Sequence, residues 1–248
     1  MLEGQRNESL QLESDRRRGD RLQKEALEAR QQVDALKKLV DYDELTGLPN
    51  RRAFQEEIKR QYAEVQRSLH PLQEAAGQEF DCSILVIDLD GFGDVNKRFG
   101  HAAGDVCLRE VARRVRELLR PLDLLARMGG DEFMLILPNT NAVEAQPVAE
   151  RVYAAIHDSV TNEMRQQYKS EDPEVPPLQI SASIGIVSFQ QERATDGTLP
   201  SADELVKRAD YASRVVKASG KDGILSLSDA KAIDDRGQIR ADILGGKN

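Results

Sequence analysis

Tryptophan is absent from these 248 residues, and all aromatics together make up only 4%. This disfavours a stacking platform for single-stranded nucleic acid, since such platforms are built from aromatic faces. Cysteine is scarce too. Cys82 and Cys107 lie 25 positions apart, without C-x-x-C spacing and without a histidine-rich neighbourhood, among only 3 histidines in the chain. That pattern excludes a disulfide scaffold and argues against zinc and a redox pair, leaving both thiols as small core residues in a reducing cytoplasm. No run of about 18 apolar residues occurs, and the first thirty residues are highly charged. The expectation is a chain with no spanning helix or secretory signal: soluble, cytoplasmic and without a membrane partner.

Basic residues are in deficit, 35 against 43 acidic, for a formal charge of −8. This disfavours a nucleic acid polymer as partner, because such binding relies on many Lys/Arg contacts releasing counterions. A small phosphate-bearing ligand held by a few groups stays open.

From Leu22 onward, Leu22, Ala26, Ala29, Val33, Leu36 and Val40 recur at alternating spacings of 4 and 3. The residues between them are mostly charged or Gln, so the pattern is a narrow a/d seam and predicts a parallel coiled coil. An amphipathic helix packed on its own domain would show a wider stripe.

Thr46 to Asn50 supplies Gly and Pro punctuation, and a helix is predicted over 51–68. Residues 70–81 read as a connecting loop. The unbroken apolar run Cys82–Asp88 suits a strand buried on both faces. After it come a helix over 104–119, a strand over 124–128, a turn over 129–132, a strand over 133–137, a helix over 142–158 and a strand over 179–187. This β-α-β-β-α-β order predicts an α+β, ferredoxin-like (palm-type) antiparallel sheet with flanking helices. Residues 159–178, with three prolines, read as a surface excursion; a helix over 201–219 and a strand over 224–227 close the domain. The organisation expected is a coiled-coil helix over 1–40, a globular domain over 41–228 and a polar tail over 229–248.

Two acidic groups stand out. Asp88-Leu89-Asp90 ends the first strand, and Gly129-Gly130-Asp131-Glu132 forms the hairpin turn of its neighbour. Asp88 can thus face Asp131 or Glu132 across a short gap. Converging carboxylates suit Mg²⁺, which takes one or two protein carboxylates plus phosphate oxygens and water. They are also common as solvated turn residues, and the Gly-Gly pair is a common hairpin turn.

The stretch Arg127–Phe133 (RMGGDEF) resembles the signature of the GGDEF family of diguanylate cyclases, which join two GTP molecules into cyclic di-GMP. Residues 43–54 (DELTGLPNRRAF), Asp88–Asp105, Ser181–Ile186 (SASIGI) and Arg208–Gly223 resemble the family's other segments in the family's order, over about 185 residues. The resemblance implies two Mg²⁺ ions, or Mn²⁺, per active site, held by Asp88, Asp131, Glu132 and the Leu89 carbonyl, with Asp131 and Glu132 catalytic. Glu132 would share in coordination or help deprotonate the ribose 3′-hydroxyl.

For GTP, the resemblance implies Asn96 and Asp105 as guanine readers, with Phe92, Gly129 and Gly130 lining the nucleotide. Lys217 and Lys221, four apart and read as one helical face, would contact its phosphates. A carboxylate that accepts from guanine N1–H and the 2-amino group disfavours adenine, which offers neither donor. Read without the family, Asn96 is a helix cap and Asp105 a first-turn acid. Arg120 and Asp123 occupy the family's R-x-x-D product-inhibition site, implying feedback by cyclic di-GMP. Because the product is two-fold symmetric, a homodimer is implied.

Gly93, Lys97, Arg214 and the pair Lys221-Asp222 depart from the family's usual residues, yet spare the metal carboxylates and guanine readers. Two rival readings follow: an idle GGDEF domain acting as a cyclic di-GMP receptor, and a palm-type cyclase or polymerase making another product.

Overall fold

The structure, a computed structural model, describes residues 40–69, 80–169 and 176–227, together with positions 18, 19, 21–25, 27, 28, 30 and 32. The chain divides into two units, Met1–Tyr42 and Asp43–Asn248.

In the first unit the described residues among 18–32 are helical, with side-chain pairs Arg21–Glu25 at 3.6 Å and Lys24–Glu28 at 3.9 Å. Leu22 and Val40, at the two ends of the seam, are about half exposed. Ala26, Ala29, Val33 and Leu36 lie outside the described residues, as does the 229–248 tail. Among the described residues no helix is long and apolar enough to cross a membrane.

The second unit is built on a five-stranded sheet. Its elements are α1 (Arg51–Ser68), β1 (Cys82–Asp90), α2 (Phe92–Phe99), α3 (His101–Arg116), β2 (Leu124–Gly129), β3 (Glu132–Pro138), α4 (Ala142–Ala154), a π-helical turn (Ala155–Val160), α5 (Thr161–Gln167), β4 (Ser181–Ser188), α6 (Ala202–Ala218) and β5 (Gly223–Ser226). The strand order is β2-β3-β1-β4-β5, antiparallel through β4, with β5 joined parallel to β4. The ferredoxin-like sheet is thus present and carries one parallel edge strand.

Because successive strand residues face opposite ways, β1 divides between two cores. Leu85, Ile87 and Leu89 pack with Phe133, Leu135 and the helical residues Val111, Ala149 and Val152. Ile84 and Val86 point the other way, toward Phe54 and Ile58 of α1 and Leu205 and Ala209 of α6. Burial on both faces is the reason the run has no polar alternation. Cys82 and Cys107 are free and buried, one in each core, and burial pushes the Cys107 thiol up to about 12.

Several boundaries differ from expectation. Residues 92–99, crowded by Gly91, Gly93 and Gly100, form α2, and α3 starts at His101 rather than 104. Asn96 lies inside α2, its carbonyl accepting from the Gly100 amide at 2.9 Å, so it is no cap. The helix from Ala142 does not stop at 158. Ile156, Val160 and Met164, four apart and fully buried, carry it through the π turn into α5. Thr161 Oγ1 donates to the Ile180 carbonyl at 2.7 Å, tying that extension to the approach to β4.

Candidate active site

The β1–β3 register sets Asp88 directly opposite Glu132, and the Leu89 amide donates to the Asp131 carbonyl at 3.2 Å. The hairpin joining β2 and β3 turns through Gly129 and Gly130, whose φ angles of 139° and 53° suit residues without a Cβ. The two acidic groups of the sequence therefore meet at one end of the sheet.

Behind them, α6 delivers Lys217, whose Nζ stands 2.5 Å from Asp88 Oδ1. Lys217 is thus the cation that answers the buried Asp88 Oδ1. Burial raises the Asp88 carboxyl; Lys217 opposes that shift, while Asp131 and Glu132 add to it. Burial would lower the Lys217 ammonium, but Asp88 and its acidic neighbours outweigh it and hold the ammonium above its ordinary value. This acidic corner has already drawn in one cation. Among the described residues no three His, Cys, Asp or Glu side chains close into a ready cage. A pair of hard carboxylates that leaves positions for water and phosphate fits Mg²⁺ better than a cation enclosed by protein.

Gly91 (φ 82°) turns the chain from β1 into α2, where a Cβ would lie 2.3 Å from the Gln179 carbonyl oxygen. The α2–α3 corner then gathers Phe92, Asn96 and Asp105. A Cβ at Gly104 would meet Asn96 Oδ1 at 2.1 Å and Phe92 Cζ at 3.2 Å. Asn96 and Phe92 thus lie against the residue just before Asp105, and both Asn96 and Asp105 keep partial exposure.

Lys221 departs from expectation. The helix ends at Ala218, and Lys221 lies in the following turn with φ 68°, its amide donating to the Val216 carbonyl at 3.0 Å. It does not share a helical face with Lys217. Arg120 and Asp123 occupy a turn in which the Arg120 amide donates to Asp123 Oδ2 at 2.8 Å and the Asp123 amide to the Arg120 carbonyl at 3.0 Å. The Arg120 side chain is exposed.

One brace was not legible beforehand. Arg127 binds Asp43 through Nη1, 3.0 and 3.1 Å from its two carboxylate oxygens, and reaches the Gly130 carbonyl from Nη2 at 2.8 Å. Arg51 adds a contact to the Met128 carbonyl at 3.2 Å. Burial would raise the Asp43 carboxyl, but hydrogen bonds from Thr46 and the Arg127 guanidinium hold it below the usual range. The domain's opening segment is therefore pinned to the hairpin turn. Asp43 and Arg127 are 84 positions apart, so no local pattern reveals the pair.

A ferredoxin-like sheet with carboxylates at the end of its first strand, an acidic Gly-Gly hairpin beside them and a lysine behind is a palm-like α+β architecture. The chain belongs to the GGDEF family: residues 40–223 match the family described as "Diguanylate cyclase, GGDEF domain". It is 36% identical over 172 residues to diguanylate cyclase DgcP of Pseudomonas aeruginosa, covering 69% of this chain and 23% of that protein. With diguanylate cyclase A of Treponema denticola the identity is 33% over 156 residues, 63% of this chain and 38% of that protein. The chain thus spans well under half the length of these curated relatives. Among solved structures, that of diguanylate cyclase SiaD in complex with its activator SiaC from Pseudomonas aeruginosa matches at 32% identity and a TM-score of 0.60, over 91% of this chain and 75% of that one. The GGDEF domain of DgcB from Caulobacter crescentus, in complex with c-di-GMP, matches at 26% identity and 0.59, over 77% of this chain and 96% of that one.

Proposed function

We propose that this chain condenses two GTP molecules into cyclic di-GMP with release of two pyrophosphates, as a homodimer in which each domain presents one nucleotide. The observation that carries this reading is the meeting of Asp88 with the Gly129–Glu132 turn, backed by Lys217. Named diguanylate cyclases among its relatives support it.

In this reading Asp88, Asp131, Glu132 and the Leu89 carbonyl would hold two Mg²⁺ ions, whose chemistry when bound is to neutralise charge on the attacking and leaving oxygens. Asn96 and Asp105 would address the guanine edge from the α2–α3 corner, where Asn96 lies against Gly104, the residue before Asp105. Gly129 and Gly130 let the backbone approach the phosphates. Glu132 would share in that coordination or help take the proton from the ribose 3′-hydroxyl as it attacks the α-phosphorus of the facing GTP. Lys217 leaves Asp88 for the phosphates once other positive charge answers that carboxylate, and Lys221 joins it from the turn. Positioning supplies much of the remaining rate, because the two nucleotides react as if in one molecule.

Arg120 and Asp123 form the proposed product site, where an exposed guanidinium can clamp phosphate and guanine bidentately. The DgcB domain solved with c-di-GMP supports that class of ligand. Incubation with GTP and Mg²⁺, followed by chromatography and mass analysis, tests the proposal, with Glu132→Ala as control. Cyclic di-GMP and pyrophosphate are expected from the parent and almost none from the variant. Tight cyclic di-GMP binding with no pyrophosphate release would instead identify a receptor, and turnover of ATP would identify a cyclase of another specificity.

A further inference from the structure

Asp90 is the second acid of the β1 terminus, and the mechanism above leaves it unused. It is only 5% exposed. Its Oδ2 accepts from Ser183 Oγ at 2.8 Å and from the Asp222 amide at 3.1 Å, while Oδ1 is buried without a hydrogen-bond partner. A buried carboxylate with half its acceptor capacity unused is unfavourable for folding alone.

What it grips is itself unusual. Lys221 and Asp222 are consecutive non-glycine residues in left-handed backbone, φ 68° and 65°. Neither type adopts that conformation freely, although Asp tolerates it better than most. Such pairs persist where the surroundings over-determine them. Here three contacts do so: the Lys221 amide on the Val216 carbonyl, the Asp222 amide on Asp90, and Tyr153 Oη donating to Asp222 Oδ1 at 2.5 Å. Tyr153 is steadied by stacking on His157, ring centroids 5.5 Å apart. Burial and the Asp222 carboxylate raise the Tyr153 phenol above its ordinary range, so it remains a donor.

We propose that Asp90 is a positioning residue whose carboxylate holds the left-handed Lys221–Asp222 pair, and so presents Lys221 beside Lys217 to the substrate's phosphates. This rests on the GTP reading above. Without the Asp90 acceptor the turn relaxes toward right-handed backbone and Lys221 swings away from the corner that Lys217 and Asp88 define. The departures at Lys221 and Asp222 then have a rationale: the Asp222 carboxylate takes the Tyr153 proton donor, and its amide remains for Asp90.

Two measurements on the full chain test this. Amide hydrogen exchange at Asp222, followed without nucleotide, is expected to speed up about tenfold in Asp90→Ala. Steady-state pyrophosphate release is expected to show KM for GTP raised about tenfold in Asp90→Ala, with kcat and the Mg²⁺ dependence nearly unchanged. Lys221→Ala should match that rise, and the double variant should be no worse than either single one. Asp90→Asn, which keeps an acceptor oxygen, should restore KM to within about twofold of the parent. Unchanged exchange at Asp222 would overturn the proposal, as would effects of Asp90→Ala and Lys221→Ala that multiply. If the parent released no pyrophosphate, the cyclase reading would fail, while the exchange measurement would still decide whether Asp90 holds the turn.

Discussion

At the scale of single residues, Gly104 separates space from stability. The atom that a Cβ there would strike is Asn96 Oδ1, at 2.1 Å, the tip of a side chain that can rotate away. Gly104→Ala should therefore cost less than about 1 kcal/mol of stability, helix propensity partly offsetting the crowding. It should nevertheless displace Asn96, the proposed guanine reader. The expected outcome is a thermal midpoint within a few degrees of the parent and GTP binding weakened at least about tenfold by calorimetry; unchanged GTP affinity would remove Asn96 from the guanine site. The Asp43–Arg127 pair behaves differently. Asp43→Asn removes the charge from two hydrogen bonds to a guanidinium that is only 11% exposed, and should cost about 1–3 kcal/mol. Because the Asp43 carboxyl is held below its ordinary value, its stabilising contribution is full above about pH 4 and is lost as pH falls through the lowered value. Urea unfolding of parent and variant should differ at pH 7, and the gap should narrow progressively as pH falls below about 4; a gap that did not narrow on acidification would mean the ion pair is not its source.

At the scale of elements, β4 and α6 approach so closely that only glycine fits between them. A Cβ at Gly185 would lie 2.2 Å from the Ala209 carbonyl oxygen and 2.4 Å from the Ser213 amide nitrogen. These are backbone atoms and cannot rotate aside, so Gly185→Ala must push the helix off the sheet, breaking the Ser213 Oγ bond to the Ser183 carbonyl at 2.9 Å. A loss of about 3 kcal/mol or more is expected by chemical denaturation, with kcat falling as well because α6 carries Lys217. Stability within about 1 kcal/mol of the parent would show that α6 can shift freely. The same contrast explains what could be read in advance. Strands such as Cys82–Asp90 and Glu132–Pro138 were legible because burial on both faces writes an unbroken apolar run. The carboxylates of the acidic corner followed, since they sit at the ends of those strands. By comparison, α2 was hidden by its glycines, and the π turn and α5 by the prolines that follow, although Ile156, Val160 and Met164 already carried helical spacing. Asp90, Asp222 and Tyr153 come together from β1, the turn after α6 and α4. No spacing along one element can announce a contact shared by three.

At the scale of the whole molecule, a charge of −8 is compatible with a nucleotide enzyme only if the substrate's phosphates meet few acidic groups uncompensated. The active corner meets that condition locally, with Lys217 on Asp88 in the free protein and Mg²⁺ as the further positive charge in the proposed complex. The proposed reaction would impose a second requirement, because a two-fold symmetric product needs two such corners face to face. In solution at micromolar concentration, two free domains would meet rarely; a coiled coil through the Leu22–Val40 seam would hold them at an effective concentration orders of magnitude higher. Val33 and Leu36 are two of the apolar positions of that sequence pattern, and in a coiled coil a charge or a truncated side chain at such positions is poorly tolerated. The double variant Val33→Lys and Leu36→Ala should therefore be monomeric by light scattering at micromolar concentration. Its specific activity should then climb with protein concentration where the parent's stays flat, while the globular domain keeps its thermal midpoint. A variant that stayed dimeric, or an activity independent of concentration in both proteins, would mean that the seam does not bring the two active sites together.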